Sequence, residues 1–130
     1  MRKETENWIA GSEYDINTAE HMFNTGRYLY VVFMCHLSIE KSIKAIIHEV
    51  TVKLPPKSHD LIYLSSLAEI QFPESLLDFI GKVNSASIVT RYPEDIAKAV
   101  SAYPKDIARE YFDKTKEVLE WLKQDKRLKG

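Results

Sequence analysis

A chain of 130 residues with 45% apolar side chains can build one hydrophobic core, and a single domain over residues 1–130 is expected. Eighteen basic against nineteen acidic residues give a net charge of −1, which excludes nonspecific capture of a nucleic-acid backbone by global charge and leaves only a local patch. One cysteine, Cys35, excludes an intramolecular disulfide and suits a reducing compartment, so a cytoplasmic location is expected. No apolar segment follows Met1-Arg2-Lys3-Glu4-Thr5-Glu6, so no secretory signal is expected. The longest apolar run, Tyr28 to Cys35, falls short of the roughly 20 residues that cross a bilayer.

The spacing predicts a first helix over 4–24, with Thr5, Trp8, Ile9, Ser12, Ile16, Ala19 and Phe23 on one side. Asn24-Thr25-Gly26 closes it, because Gly26 tolerates the left-handed conformation that ends a helix. A long helix from Arg27 to Val52 then returns antiparallel. Its inward stripe is Tyr28, Val32, Cys35, Ile39, Ile43, Ile46 and Val50. The opposite side carries Tyr30, Phe33, Met34 and Leu37 in the first half and Lys41, Lys44 and His48 in the second. A half-helix apolar all round needs cover on a second face, from another element or another subunit.

Leu54-Pro55-Pro56 stops that helix. Ser58-His59-Asp60-Leu61 reads as a helix start, with Ser58 or Asp60 as the cap, followed by a short helix through Leu61, Leu64, Leu67 and Ala68. Phe72-Pro73-Glu74 interrupts, and a fourth helix runs from about 75 to 90 with Leu76, Phe79, Ile80 and Val83 inward. Pro93 and Pro104 bracket residues 94–103, which reads as a mostly irregular crossover. A last helix starts near Pro104, with Ile107, Tyr111, Thr115, Val118 and Leu122 inward, and the basic tail after Lys123 is expected to fray. No strand-like alternation and no repeat appears. The class is all-α.

Few residues invite chemistry. Glu40, Lys41 and Lys44 cluster on the long helix with His36 one turn earlier, and Glu40 to Lys44 is the favourable order for a helix-surface pair. Spacing alone favours a solvated pair over a functional one. His36 with Glu40 lacks the further carboxylates of a bundle metal site, so no metal or cofactor is expected. His59 and Asp60 stand at a helix start, where free amides attract anions and where capping is the plainer reading. Arg91-Tyr92-Pro93 pairs a cation with a ring, which suits a phosphate and a stacked base or, equally, a structural corner. His21 and His48 read as flank histidines. Cys35 lacks an activating base.

Taken in order, Trp8, Asp15 and Ala19, Gly26-Arg27-Tyr28, Glu40-Lys41, Lys44-Ala45, Ser58-His59-Asp60-Leu61 and Arg91-Tyr92-Pro93 resemble the HEPN family of small α-helical nucleotide-binding domains. The resemblance implies an antiparallel up-and-down bundle of four to five helices that commonly forms a homodimer. It also implies nucleotide or RNA handling beside a minimal nucleotidyltransferase, often as a toxin–antitoxin-like pair. The nucleotide-binding candidates carried onto this chain are Arg91 for phosphate, Tyr92 for stacking, His59 and Asp60 for polar contacts, and Lys41 or Lys44 beside Glu40. Ribonuclease members carry Arg, four to six residues, then His; after Arg91 those positions hold Ile96, Ala97 and Lys98. Without that histidine no general acid or base is evident, so no catalytic residue is assigned. Two alternatives remain open: a ribonuclease using His59 or His36, and a non-catalytic interaction bundle.

Overall fold

The computed structural model describes residues 1–129. Helix α1 (Lys3–Asn24) and helix α2 (Tyr28–Thr51) form a hairpin about Gly26, whose φ of 78° lies in the left-handed region. The Gly26 and Arg27 amides donate back to Phe23 and Met22, closing the last turn of α1. The two helices lie close where small side chains meet. Ser12 Oγ donates to the Ser38 carbonyl at 2.7 Å, and Ser38 Oγ returns the bond to Ser12 at 2.8 Å.

Helix α2 is the axis of the molecule, packed by α1, α3 (Leu61–Leu67), α4 (Glu74–Arg91) and α6 (Lys105–Lys123). Val32, Cys35, Ile39, Ile43 and Ile46 of the expected stripe are fully buried against Leu61, Leu64, Ile80, Val118 and Leu122. Each such side chain contributes on the order of 1.5–3 kcal/mol of burial. The ends of the stripe differ: Tyr28 is half-buried and Val50 is exposed.

The all-α class holds, and the described residues contain six α-helices and one 3₁₀ turn with no strand. Two expectations are corrected. The 94–103 crossover contains α5 (Ile96–Ala102), which fits between the two prolines because the Asp95 carboxylate accepts from the Lys98 amide at 3.1 Å. The tail does not fray over its described part: Asp125 caps a 3₁₀ turn at Lys126–Leu128, Leu128 is buried, and Arg127 donates to the Ala68 carbonyl. No described helix is long and apolar enough to cross a membrane.

The two faces of α2 also differ from expectation. In its second half Lys44 and His48 are buried rather than solvated, at 5% and 8% exposure, because α1 and the α2–α3 loop cover them. In its first half Phe33, Met34 and Leu37 are already partly covered within the subunit, and Tyr30 is left nearly half exposed.

Candidate functional site

Glu40 lies on the buried side of α2 with 3% exposure. An isolated carboxylate there costs several kcal/mol, so its partners decide whether the site is tolerable. Lys44, one turn on, places Nζ 3.0 Å from Oε2. Oε1 accepts from His59 Nδ1 at 2.9 Å and lies 3.5 Å from Arg91 Nη2. His36 Nδ1 stands 3.9 Å from the same oxygen, too far for a hydrogen bond. Residues from α2, the α2–α3 loop and the end of α4 thus converge on one carboxylate.

Each partner is held from behind. The α2–α3 loop is clamped at Asp60, whose Oδ1 accepts from the Ile62 and Tyr63 amides as the cap of α3 and from Asn84 Nδ2 at 3.1 Å. Asn84 Oδ1 in turn accepts from the Leu61 amide at 2.8 Å, which ties the loop carrying His59 to α4. The Arg91 guanidinium lies over the Phe33 ring, 4.8 Å from its centroid, and Lys44 Nζ lies 5.7 Å from that of Trp8. Burial, opposed by Glu40 and helped by Arg91, pushes the His36 imidazole down to about 4, so it is neutral at pH 7.

Two fixed cations, Lys44 and Arg91, meet one carboxylate, so the cluster carries surplus positive charge. Arg91 Nε and Nη2 and both His36 ring nitrogens are buried without a hydrogen-bond partner among the described residues. Because an ionised Glu40 only accepts, the His59 ring donates through Nδ1, and in the neutral ring Nε2 then carries a free lone pair. The His59 side chain is half exposed. Such a nitrogen can accept a hydrogen bond or take up a proton.

Of the sequence candidates, Glu40, Lys44, His59 and Arg91 come together, and Asp60 supports them as a cap. Lys41 and Tyr92 lie elsewhere. Lys41 points one-quarter turn round the helix from Glu40 and pairs with buried Asp15 at 2.9 Å, on the α1 side. Tyr92 is 75% exposed and lines a cleft of about 470 Å³ between the end of α4 and α5. Asn84 and Phe33 were missed as support, and no local pattern marks either. The Cys35 thiol is pushed up to about 12 by burial, so it is a poor nucleophile. Among the described residues no three His, Cys, Asp or Glu side chains form a group able to hold a metal ion.

A family model described as HEPN domain matches residues 5–126. The chain belongs to the HEPN family. No curated protein matches it. Two crystal structures share the HEPN fold seen here. TT1696 from Thermus thermophilus superposes with a TM-score of 0.79 at 20% identity, covering 95% of this chain and 98% of its own. ST0689, an archaeal HEPN homologue, gives 0.73 at 21%, covering 95% and 97%. In this HEPN chain the positions where an Arg–His motif would place its histidine, Ile96 to Lys98, are exposed on α5. The histidine that shares a carboxylate oxygen with Arg91 is instead His59.

Proposed function

We propose that this HEPN protein binds the phosphate end of a nucleotide at the Glu40 cluster, as a homodimer and as the non-catalytic partner subunit of a minimal nucleotidyltransferase. The arrangement of a toxin–antitoxin-like pair in the cytoplasm fits that role. The observation that carries the reading is the charge surplus around Glu40: Lys44 and Arg91 are fixed on one carboxylate, with hydrogen-bond donors left unpartnered on Arg91. Tyr92 would have to turn from its own cleft to stack on a base, so phosphate rather than base recognition dominates the expected affinity.

Isothermal titration with ATP, GTP and their monophosphates tests this. Binding is expected, with Arg91→Ala weakening it by about tenfold or more, the scale of one charge-assisted hydrogen bond. No heat at millimolar nucleotide would remove the nucleotide reading. Co-expression with a candidate nucleotidyltransferase and co-purification tests the partner. A third reading, an interaction bundle with merely surface charges, requires Arg91→Ala to leave ligand and partner binding unchanged.

One observation favours a second reading. The Glu40–His59 hydrogen bond is the geometry that orients a histidine for proton transfer, and the His59 side chain is half exposed. A labelled RNA left intact by wild type and by His59→Ala alike would end the ribonuclease alternative. Cleavage lost only in His59→Ala would establish it.

A further inference from the structure

The Glu40 cluster meets solvent chiefly through one member. The His59 side chain is half exposed, whereas those of Glu40, Lys44 and Arg91 keep 4%, 7% and 15%. An anion arriving from solvent therefore meets the imidazole first, with the guanidinium and the ammonium behind it. Among the described residues the one hydrogen bond of that imidazole runs from Nδ1 to Glu40 Oε1 at 2.9 Å, and the second ring nitrogen diverges from the first. In the neutral ring Nε2 offers an incoming oxygen a lone pair and no donor.

Charge leads to the same place. Lys44 and Arg91 set against Glu40 leave one surplus positive charge. A phosphodiester carries a single negative charge, which that surplus already matches. A phosphate monoester carries nearly two at pH 7. One proton on His59 supplies the missing charge and makes Nε2 a donor, while Glu40 holds the ring by its other nitrogen. An imidazole is the side chain suited to exchanging a proton near neutral pH.

The groups around that ring decide when the proton arrives. From α2 come Glu40, Lys44 and His36, the last kept neutral at pH 7 by burial. From α4 come Arg91 and the uncharged Asn84. Its own loop holds Lys57 and Asp60, and the Asp60 carboxylate is engaged by the Ile62 and Tyr63 amides and by Asn84. Glu40 favours the proton, Lys44 and Arg91 oppose it, and a dianion beside the ring tips the balance.

We infer that the Glu40 cluster takes a doubly charged phosphate monoester together with a proton on His59, which links binding to pH and selects a terminal phosphate over a diester. This rests on the nucleotide reading proposed above and specifies which end of a nucleotide the site accepts.

Calorimetry of the purified chain with AMP at pH 7.5, in Tris and in HEPES, reads the protons taken up, because the two buffers differ in ionisation enthalpy. Uptake approaching one proton per AMP is expected, and affinity should fall by up to about tenfold per unit as pH rises from 7 to 8.5, where AMP itself no longer titrates. His59→Asn keeps an amide donor for Glu40 and loses the titrating nitrogen. It is expected to bind AMP about tenfold more weakly at pH 7, the scale of one charge-assisted hydrogen bond, with no uptake and no slope. Cyclic AMP, a singly charged diester, should bind wild type about tenfold more weakly than AMP, and His59→Asn should lose that preference. In the 15N-labelled chain AMP should move the His59 ring nitrogens to the shifts of an imidazolium. AMP bound without proton uptake, uptake that persists in His59→Asn, or equal affinity for the diester would each overturn the inference and leave the nucleotide reading standing. No AMP binding at any pH from 6 to 8.5 would fail the nucleotide reading and this inference with it.

Discussion

Two buried carboxylates touch α2, and they are built differently. Asp15 on α1 has one cation, Lys41, at 2.9 Å, and that lysine side chain remains 28% exposed. Glu40 is ringed by Lys44, Arg91 and His59, of which Lys44 is as buried as the carboxylate itself. The first pair balances its charge and pins two helices at the close crossing, where a Cβ on Gly11 would meet Lys41 Cδ at 3.2 Å. The second is over-supplied with cations and orphaned donors, a condition that stability alone does not require. Charge balance, not burial, separates a helix fastener from a ligand-ready cluster.

The largest test of that difference removes each carboxylate. Glu40→Leu leaves Lys44 buried beside Arg91 with nothing to neutralise either, and is expected to cost about 3–5 kcal/mol in urea unfolding. Asp15→Asn is expected to cost about 1–2 kcal/mol, since Lys41 has only to turn outward into water. Equal losses would break the comparison.

Acid sharpens it next. The His36 imidazole is neutral in the folded protein down to about pH 4, while the unfolded chain takes up its proton near 6.5. Between those values the unfolded state binds more protons, so stability falls as pH is lowered from 6.5 to 4, by at most about 1.4 kcal/mol per pH unit. The charged groups facing His36 are Glu40 and Arg91, with Asn84 and the His59 backbone close by. His36→Leu should flatten this part of the profile in urea titrations at a series of pH values. An unchanged slope would mean another group is responsible.

Arg91→Ala comes third. Loss of its place over Phe33 and beside Glu40 is expected to cost about 1 kcal/mol in stability, while anion affinity falls about tenfold. Arg91→Lys should recover little of the affinity, because an ammonium offers no planar fork. Comparable losses in Lys41→Ala would show that the Asp15 pair also serves the ligand.

The helix hairpin and the core stripe of α2 were readable from sequence because both depend on local spacing: Gly26 at the turn, and Val32 to Ile46 at three- and four-residue intervals. The same spacing grouped Glu40 with Lys44 and His36. It did not distinguish Lys41 from Lys44, since which of them is buried depends on what α1 covers, and that is a tertiary fact. The meeting of Glu40 with His59 and Arg91 joins three separate elements, so no local pattern encodes it. The turn at Lys126–Leu128 escaped for the same reason: its anchor, the Ala68 carbonyl, is far away in sequence. Helix α5 was hidden by its prolines, although Asp95 was a readable cap.

The smallest effect concerns the loop that delivers His59 to Glu40. Val52, the residue that ends α2, has φ 63°, a left-handed conformation disfavoured for a β-branched side chain. Its side chain is 56% exposed, so little packing is lost by removing it. Val52→Gly relieves the strain but frees the unfolded chain, and the net expectation is stabilisation by at most about 1 kcal/mol. The hydrogen bonds that fix the loop near His59 run through Asp60 and Asn84, not through Val52. Thermal melting should therefore rise slightly while nucleotide titration stays unchanged. A loss of affinity in Val52→Gly would instead mean that the strained end of α2, rather than the Asp60–Asn84 clamp, sets the position of His59.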